Sequence, residues 1–250
     1  MKYLLLSMLL LAETALAVPW AGLPLNQPAA PSRGGSGCGA PVESSHILFY
    51  YPLDAVSGAT SPDVSGNGNT LNLTGSPAVV AGKVTNAMSF NGGGQYAESA
   101  NPVTTGNSFS IACWVYPTEA TETAYARIAE TTYVNGLFLG FEGTGTKFCF
   151  SWNDGGLTLV SGAITANTWY HIVATVNSSG VGTLYVNGSS QGTLGFTAGS
   201  TTGPLYIATY SMSPNSYSFQ GYIDNVIGWS AVLSGTEVTA EYNAGLAGCP

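Results

Sequence analysis

The chain has 250 residues, 45% of them apolar and only 7% charged, with 33 glycines, 14 tyrosines, five lysines and arginines, and 13 acidic residues. This composition excludes a disordered chain and, because the glycines follow no period of three, a collagen. A formal charge of -8 with so few cations also excludes a phosphate-neutralising nucleic-acid surface and disfavours anionic membranes.

In chain order, residues 1–17 carry one cation at Lys2, an apolar stretch from Tyr3 to Ala12, and Ala15-Leu16-Ala17. That pattern predicts a secretory signal peptide cut after Ala17 and hence a secreted protein. Glu13 interrupts the apolar run, which is shorter than the roughly 20 residues a spanning helix needs, and no later run is longer, so no membrane partner is expected. Residues 18–45 hold Pro19, Pro24, Pro28, Pro31 and Pro41 with Gly34, Gly35, Gly37 and Gly39, and show no period. They read as a linker or extended arm. Residues 46–250 read as one domain.

Within that domain Phe109, Ile111, Cys113 and Val115 alternate with Ser110, Ala112, Trp114 and Tyr116, a period of two that predicts a strand. The same reading applies to 46–53, 87–92, 136–142, 168–176, 182–188, 204–210 and 219–230, with glycine or asparagine turns between nearly all of them. Asn187-Gly188 has the chemistry of a two-residue hairpin turn. Many short strands rich in tyrosine, valine and threonine predict an all-β fold, two packed antiparallel sheets of sandwich or jelly-roll type. One helix is expected. Ser234 and Glu237 form a capping-box pattern, Val238, Tyr242 and Leu246 line one face, and Gly245 and Gly248 end it.

Four cysteines in a secreted chain allow three disulfide connectivities. Cys38 with Cys249 would staple the domain's termini, and Cys113 with Cys149 would join two strand-like segments; this is the favoured pairing. No CxxC spacing supports a metal site on these sulfurs. Trp114, Trp169 and Trp229 fall in strands and read as core, and His171 as a buried histidine rather than a catalyst.

Seven segments in order carry a family resemblance: YPLD at 51–54, DVSGNGN at 63–69, AMSFNGGGQYAE at 87–98, SFSIACWVYP at 108–117, NTWYHIVATV at 167–176, LYVNG at 184–188 and FQGYIDNVIGWSAVLSGTEV at 219–238. The chain resembles laminin-G-like jelly rolls of the concanavalin A-like lectin and glucanase superfamily. It departs from them in the neutral stretch Asn225 to Trp229, where charge is common. Read from residues alone, Asp63 is equally an Asx-turn residue or a hard-cation ligand. The resemblance implies a structural calcium on Asp63 and Asp224, with Asn67 or Asn69 assisting.

The carboxylates do not pair as glycoside hydrolysis requires. Glu119 and Glu122 lie in a loop-like, threonine-rich segment, Glu98 is alone, and Asp154 precedes two glycines in a turn. No Ser, His and Asp set or phosphate loop is legible either. An enzyme is therefore not expected. The resemblance implies a binding module for carbohydrate or a glycosylated surface, and the aromatic residues expected in its loops are Tyr125, Tyr133, Trp152, Tyr210 and Tyr217. The alternative is a structural subunit of an extracellular or virion assembly, self-associating or engaging a neighbour through the arm at 18–45; a glycan-cleaving enzyme with an atypical site comes third. Acceptor sequons for glycosylation stand at Asn72, Asn177 and Asn187.

Overall fold

Period-two alternation decides the architecture. The computed structural model describes residues 40–131, 136–152 and 158–249. A 3-10 turn at Ser44–His46 leads into β1 (Ile47–Tyr51), β2 (Thr60–Ser61), β3 (Leu71–Thr74), β4 (Ala78–Ala81), β5 (Asn86–Asn91), β6 (Tyr96–Ser99), β7 (Val103–Thr104), β8 (Phe109–Pro117) and β9 (Arg127–Glu130). The chain continues through β10 (Leu137–Phe141), β11 (Lys147–Trp152), β12 (Leu159–Ala163), β13 (Tyr170–Val176), β14 (Val181–Val186), β15 (Ser189–Gly195), β16 (Thr202–Gly203), β17 (Tyr206–Ile207) and β18 (Gln220–Trp229), closing on helix α1 (Gly235–Leu246).

Two antiparallel sheets form a sandwich. One runs β15-β14-β13-β8-β18-β5-β4 with β1 also on β18; the other runs β12-β11-β10-β9-β17-β6-β3-β2, and β7 and β16 make a small separate pair. The core lies between the sheets. Phe109, Ile111, Cys113 and Val115 of β8 meet Leu137, Leu139 and Phe141 of β10 and Phe148, Phe150 and Trp152 of β11. Each fully buried large side chain of this kind contributes roughly 1.5–3 kcal/mol, enough in sum to offset the ordering of a glycine-rich chain.

Alternation also sends residues to the outer faces. On the first sheet Tyr50, Ala112, Val173, Ile227 and Trp229 point outward and are covered by Leu233 and Val238 of the α1 region. The expected capping box is present: the Ser234 hydroxyl accepts from the Glu237 amide at 3.3 Å, and the Glu237 carboxylate from the Ser234 amide at 2.7 Å. The covered face, however, is Val238, Glu241 and Gly245, while Leu246 is exposed. Gly245 does not end the helix. It lies within α1 because a Cβ there would stand 2.4 Å from Trp114 Nε1, and only glycine lets the helix approach so closely.

Val42, in the stretch the sequence places in the arm, packs against the outer face of the first sheet. The Val42 carbonyl accepts from Trp229 Nε1 at 2.9 Å and its amide donates to Glu241 at 2.6 Å. The strand expected over 204–210 shrinks to Tyr206–Ile207, because Ala208 turns left-handed at φ 65°. The arm before Ala40 and residues 1–17 lie outside the described residues.

The expected Cys113–Cys149 bridge is absent; both thiols are free and buried. Cys113 follows Ile111 into the core from the first sheet, whereas Cys149 sits between the inward Phe148 and Phe150 of the second sheet and faces outward. Sheets stacked about 10 Å apart place two such residues beyond the roughly 7 Å Cα separation a disulfide can span. Burial pushes both thiols up from the ordinary cysteine range. Cys249 is disulfide-bonded, and Cys38, its expected partner, lies outside the described residues.

Candidate functional site

Three of the five tyrosine and tryptophan positions expected to bind ligand come together on the second sheet. The chain enters β9 from the 118–126 loop, and the 208–219 loop runs beside it. Arg127, first residue of β9, holds both: its amide donates to the Tyr217 carbonyl at 2.7 Å and its Nη1 to the Tyr125 carbonyl at 2.6 Å. Tyr125 and Tyr217 are both left-handed, at φ 60° and 50°, a conformation in which a bulky side chain is a genuine outlier. Their rings nonetheless point to solvent, 49% and 42% exposed. The Tyr217 ring meets Tyr125 edge-on at 6.4 Å and Tyr210 at 5.4 Å between centroids.

The guanidinium that organises this cluster is itself buried. It lies 3.8 Å from the Phe138 ring centroid, 5.1 Å from that of Tyr210 and 5.5 Å from that of Tyr217. Phe138 faces outward because its neighbours Leu137 and Leu139 face the core. Arg127 Nε pairs with Glu130, whose other oxygen accepts from the Ser211 hydroxyl and from the Ser211 amide at 3.2 Å. Glu130 is 1% exposed. A buried pair of this kind adds little net stability but fixes geometry, since removal of either partner strands a charge. Sequence reasoning found the tyrosines and missed Arg127, Glu130 and Phe138. The available signal was Arg127 itself, one of five cations, set among small and apolar residues in YARIAE.

Two other positions do not join the cluster. Trp152, expected among the loop aromatics, is 1% exposed and stacks on Phe109 at 5.8 Å inside the core. Tyr133 lies outside the described residues, as does Asp154. Of the sequon residues, Asn72 is exposed on β3. Asn177 accepts from the Ser179 and Val181 amides, and Asn187 from the His171 amide, in their turns. His171 is buried beside Trp114 and Tyr242, as expected.

The acidic residues divide by environment. Glu122, on the loop that carries Tyr125, accepts from the Gln220 amide at 3.1 Å, while its Oε1 is buried without a partner among the described residues. Burial raises its carboxyl to about 7, with the Glu119 charge adding to the rise. Tyr206 stands between Glu98 and Glu130 across neighbouring strands. Burial, then the hydrogen bond to Glu98, raises its hydroxyl to about 12, so it is a donor at neutral pH.

Of the residues implied for calcium, Asp63 has both carboxylate oxygens engaged by amides and Asp224 only one. Asp63 Oδ1 accepts from the Tyr50 amide at 3.0 Å and the Ser65 amide at 2.9 Å, and Oδ2 from the Asn69 amide at 3.0 Å. Asp224 Oδ2 accepts from the Lys83 and Val84 amides, both at 2.9 Å. Three of the four carboxylate oxygens thus accept N–H donors, while Asp224 Oδ1 is buried with no hydrogen-bond partner among the described residues. The amide groups of Asn69 are taken by the Asn101 backbone, and Asn67 Nδ2 by the carbonyls of Ile47 and Leu48. Among the described residues no three His, Cys, Asp or Glu side chains converge. Asp63 makes the Asx-turn bond to the Ser65 amide.

Residues 91–239 match the laminin G model of the concanavalin A-like lectin/glucanases superfamily, and the chain belongs to it. Domain 4 of AbnA, an extracellular arabinanase of Geobacillus stearothermophilus seen with arabinotriose, superposes with a TM-score of 0.62 at 18% identity, covering 78% of this chain and 97% of that one. The binding domain of Paraclostridial Mosquitocidal Protein 1 gives 0.63 at 16% identity, over 80% of this chain and 52% of that one. Trypanosoma rangeli sialidase with sialic acid gives 0.64 at 17%, over 87% and 36%. This chain therefore spans about half of the second structure and about a third of the third. No curated protein matches the sequence.

Proposed function

We propose that this member of the concanavalin A-like lectin/glucanases superfamily is a secreted, non-catalytic module that binds a neutral carbohydrate or glycosylated surface through Tyr125, Tyr210 and Tyr217. The observation that carries the reading is a pair of left-handed tyrosines clamped by one buried arginine, with both rings in solvent. Such backbone strain costs about 1–3 kcal/mol per residue and gathers at ligand sites. Sugars present C–H faces that lie on aromatic rings and hydroxyls that meet the surrounding polar groups, here Ser211, Ser213, Asn215 and Ser216 of the same loop. Arg127 is neutralised by Glu130 and the chain is net acidic, which favours neutral over sialylated or sulfated glycans.

The chemistry of the carboxyls supports binding rather than cleavage. Glu130 is held by Arg127 and Ser211, Glu98 by Tyr206, and the raised carboxyl of Glu122 has its unpartnered oxygen sealed from solvent. Hydrolysis needs two carboxyl groups that both reach the scissile bond. A glycan array containing neutral, sialylated and sulfated structures tests the proposal, with product analysis on the glycans that bind. Retention on neutral glycans without turnover is expected. Binding of sulfated glycans alone, or release of shortened products, overturns it.

A further inference from the structure

A cleft of about 600 Å³ opens at a different place in the fold, between the start of β1, the 66–69 turn and the 101–104 segment. It shares no residue with the tyrosine cluster, and its volume is in the range of small-molecule sites. Ile47 and Val103 are buried at its floor, and His46, Asn67, Pro102 and Thr104 are exposed along its sides.

Both walls are strapped in place. Asp63 gathers the Tyr50, Ser65 and Asn69 amides, which fixes the turn against β1. Asn67 Nδ2 donates to the Ile47 carbonyl at 2.9 Å and the Leu48 carbonyl at 3.1 Å. Asn69 bonds both the amide and the carbonyl of Asn101, at 2.8 and 3.0 Å, tying one wall to the other. Glu43, left-handed at φ 47°, places its carboxylate 2.9 Å from His46 Nδ1, and Ser230 holds the His46 carbonyl. Binding to walls so preorganised loses little conformational entropy.

What these straps leave over is specific. Asn67 Oδ1 and His46 Nε2 have no hydrogen-bond partner among the described residues, and no Asp, Glu, Lys or Arg side chain lines the cleft. A ligand hydroxyl donates to the first and either donates to or accepts from the second, whichever imidazole tautomer is present. The strip of Ile47, Val103 and Pro102 suits the C–H face of the same molecule. We propose that this cleft is a second carbohydrate subsite, one that takes the end of a neutral glycan. Its ligand class follows from the cleft's own groups, so it stands or falls separately from the tyrosine cluster.

The test is a backbone-amide NMR titration of the full mature protein with arabinotriose, cellotriose and mannotriose. Saturating shifts of Asn67 to Asn69 and Asn101 to Thr104 with at least one sugar are expected. His46→Ala, at an exposed position, should weaken that binding about tenfold, the equivalent of one hydrogen bond of about 1.4 kcal/mol. Thr104→Trp, which fills the cleft from an exposed site, should abolish it. Tyr125→Ala with Tyr217→Ala should leave the cleft shifts unchanged. No saturating shift in either wall with any of the three sugars overturns the proposal. So does persistence of the shifts in Thr104→Trp, or their disappearance in the tyrosine variant.

Discussion

The two outer faces of the sandwich are both rich in aromatic residues, and among the described residues a helix covers one of them. On the first sheet Trp114 and His171 pack with Tyr242 of α1 and Trp229 is fully buried, because α1 lies over them with Gly245 against the Trp114 indole. On the second sheet no helix among the described residues lies over Phe138, Tyr210 and Tyr217. Their organiser is instead the Arg127–Glu130 pair, which leaves Tyr125 and Tyr217 nearly half exposed. The same residue types make core when a helix supplies the second layer and an open aromatic surface when a buried charge does. The difference lies in what holds the rings, not in the rings.

The largest effect should come from breaking the charged organiser. Arg127→Ala leaves Glu130 buried and unpaired, which should cost about 3–5 kcal/mol in denaturant unfolding. Adding Glu130→Met should recover most of the loss, since a buried pair replaced by apolar groups is often neutral. On the covered face, Gly245→Ala forces the helix away from Trp114 and should cost about 1–3 kcal/mol by the same assay, without altering glycan retention.

A smaller, pH-dependent effect comes from buried carboxyls. Burial, opposed by the Val84 and Lys83 amides and reinforced by the Asp54 charge, raises Asp224 to about 8, and Glu122 stands at about 7. Both folded values lie above the unfolded ones, so the folded state binds more protons and loses stability as pH rises from about 4 to about 8. Asp224→Asn keeps an acceptor for the two amides and removes the charge. Its stability should therefore vary less with pH over that window in thermal melts, and an unchanged slope would assign the wild-type slope to other groups. The smallest effect expected is from calcium: neither the ion nor a chelator should move the wild-type melting temperature, because N–H donors hold both Asp63 oxygens and Asp224 Oδ2, and among the described residues no three acidic, histidine or cysteine side chains converge. Asp63→Asn should cost about 1–3 kcal/mol by setting an amide donor against the Asn69 N–H, a loss calcium should not change.

Much of the sandwich was legible in the sequence, since long alternating runs such as 108–117 and 219–230 carry their own burial pattern. Pairs such as β2, β7 and β16, two residues each, were not, because their pairing is set by distant neighbours rather than local propensity. Tyr125, Tyr210 and Tyr217 were legible as loop aromatics, yet nothing local distinguished them from Trp152, whose strand continues to the edge of its turn. The disulfide misreading has the same origin: alternation assigns a face within each strand, but not which faces meet.

Calorimetric titration of the wild type and of Tyr125→Ala with Tyr217→Ala, using a neutral glycan retained on the array, tests the central claim most directly. Both positions are exposed and alanine keeps the Cβ that the left-handed backbone opposes, so the double variant should fold with a melting temperature close to that of the wild type. The account requires that it lose at least about tenfold in affinity, the loss of roughly 1.4 kcal/mol of ring contact. Undiminished affinity in a folded double variant would contradict the account.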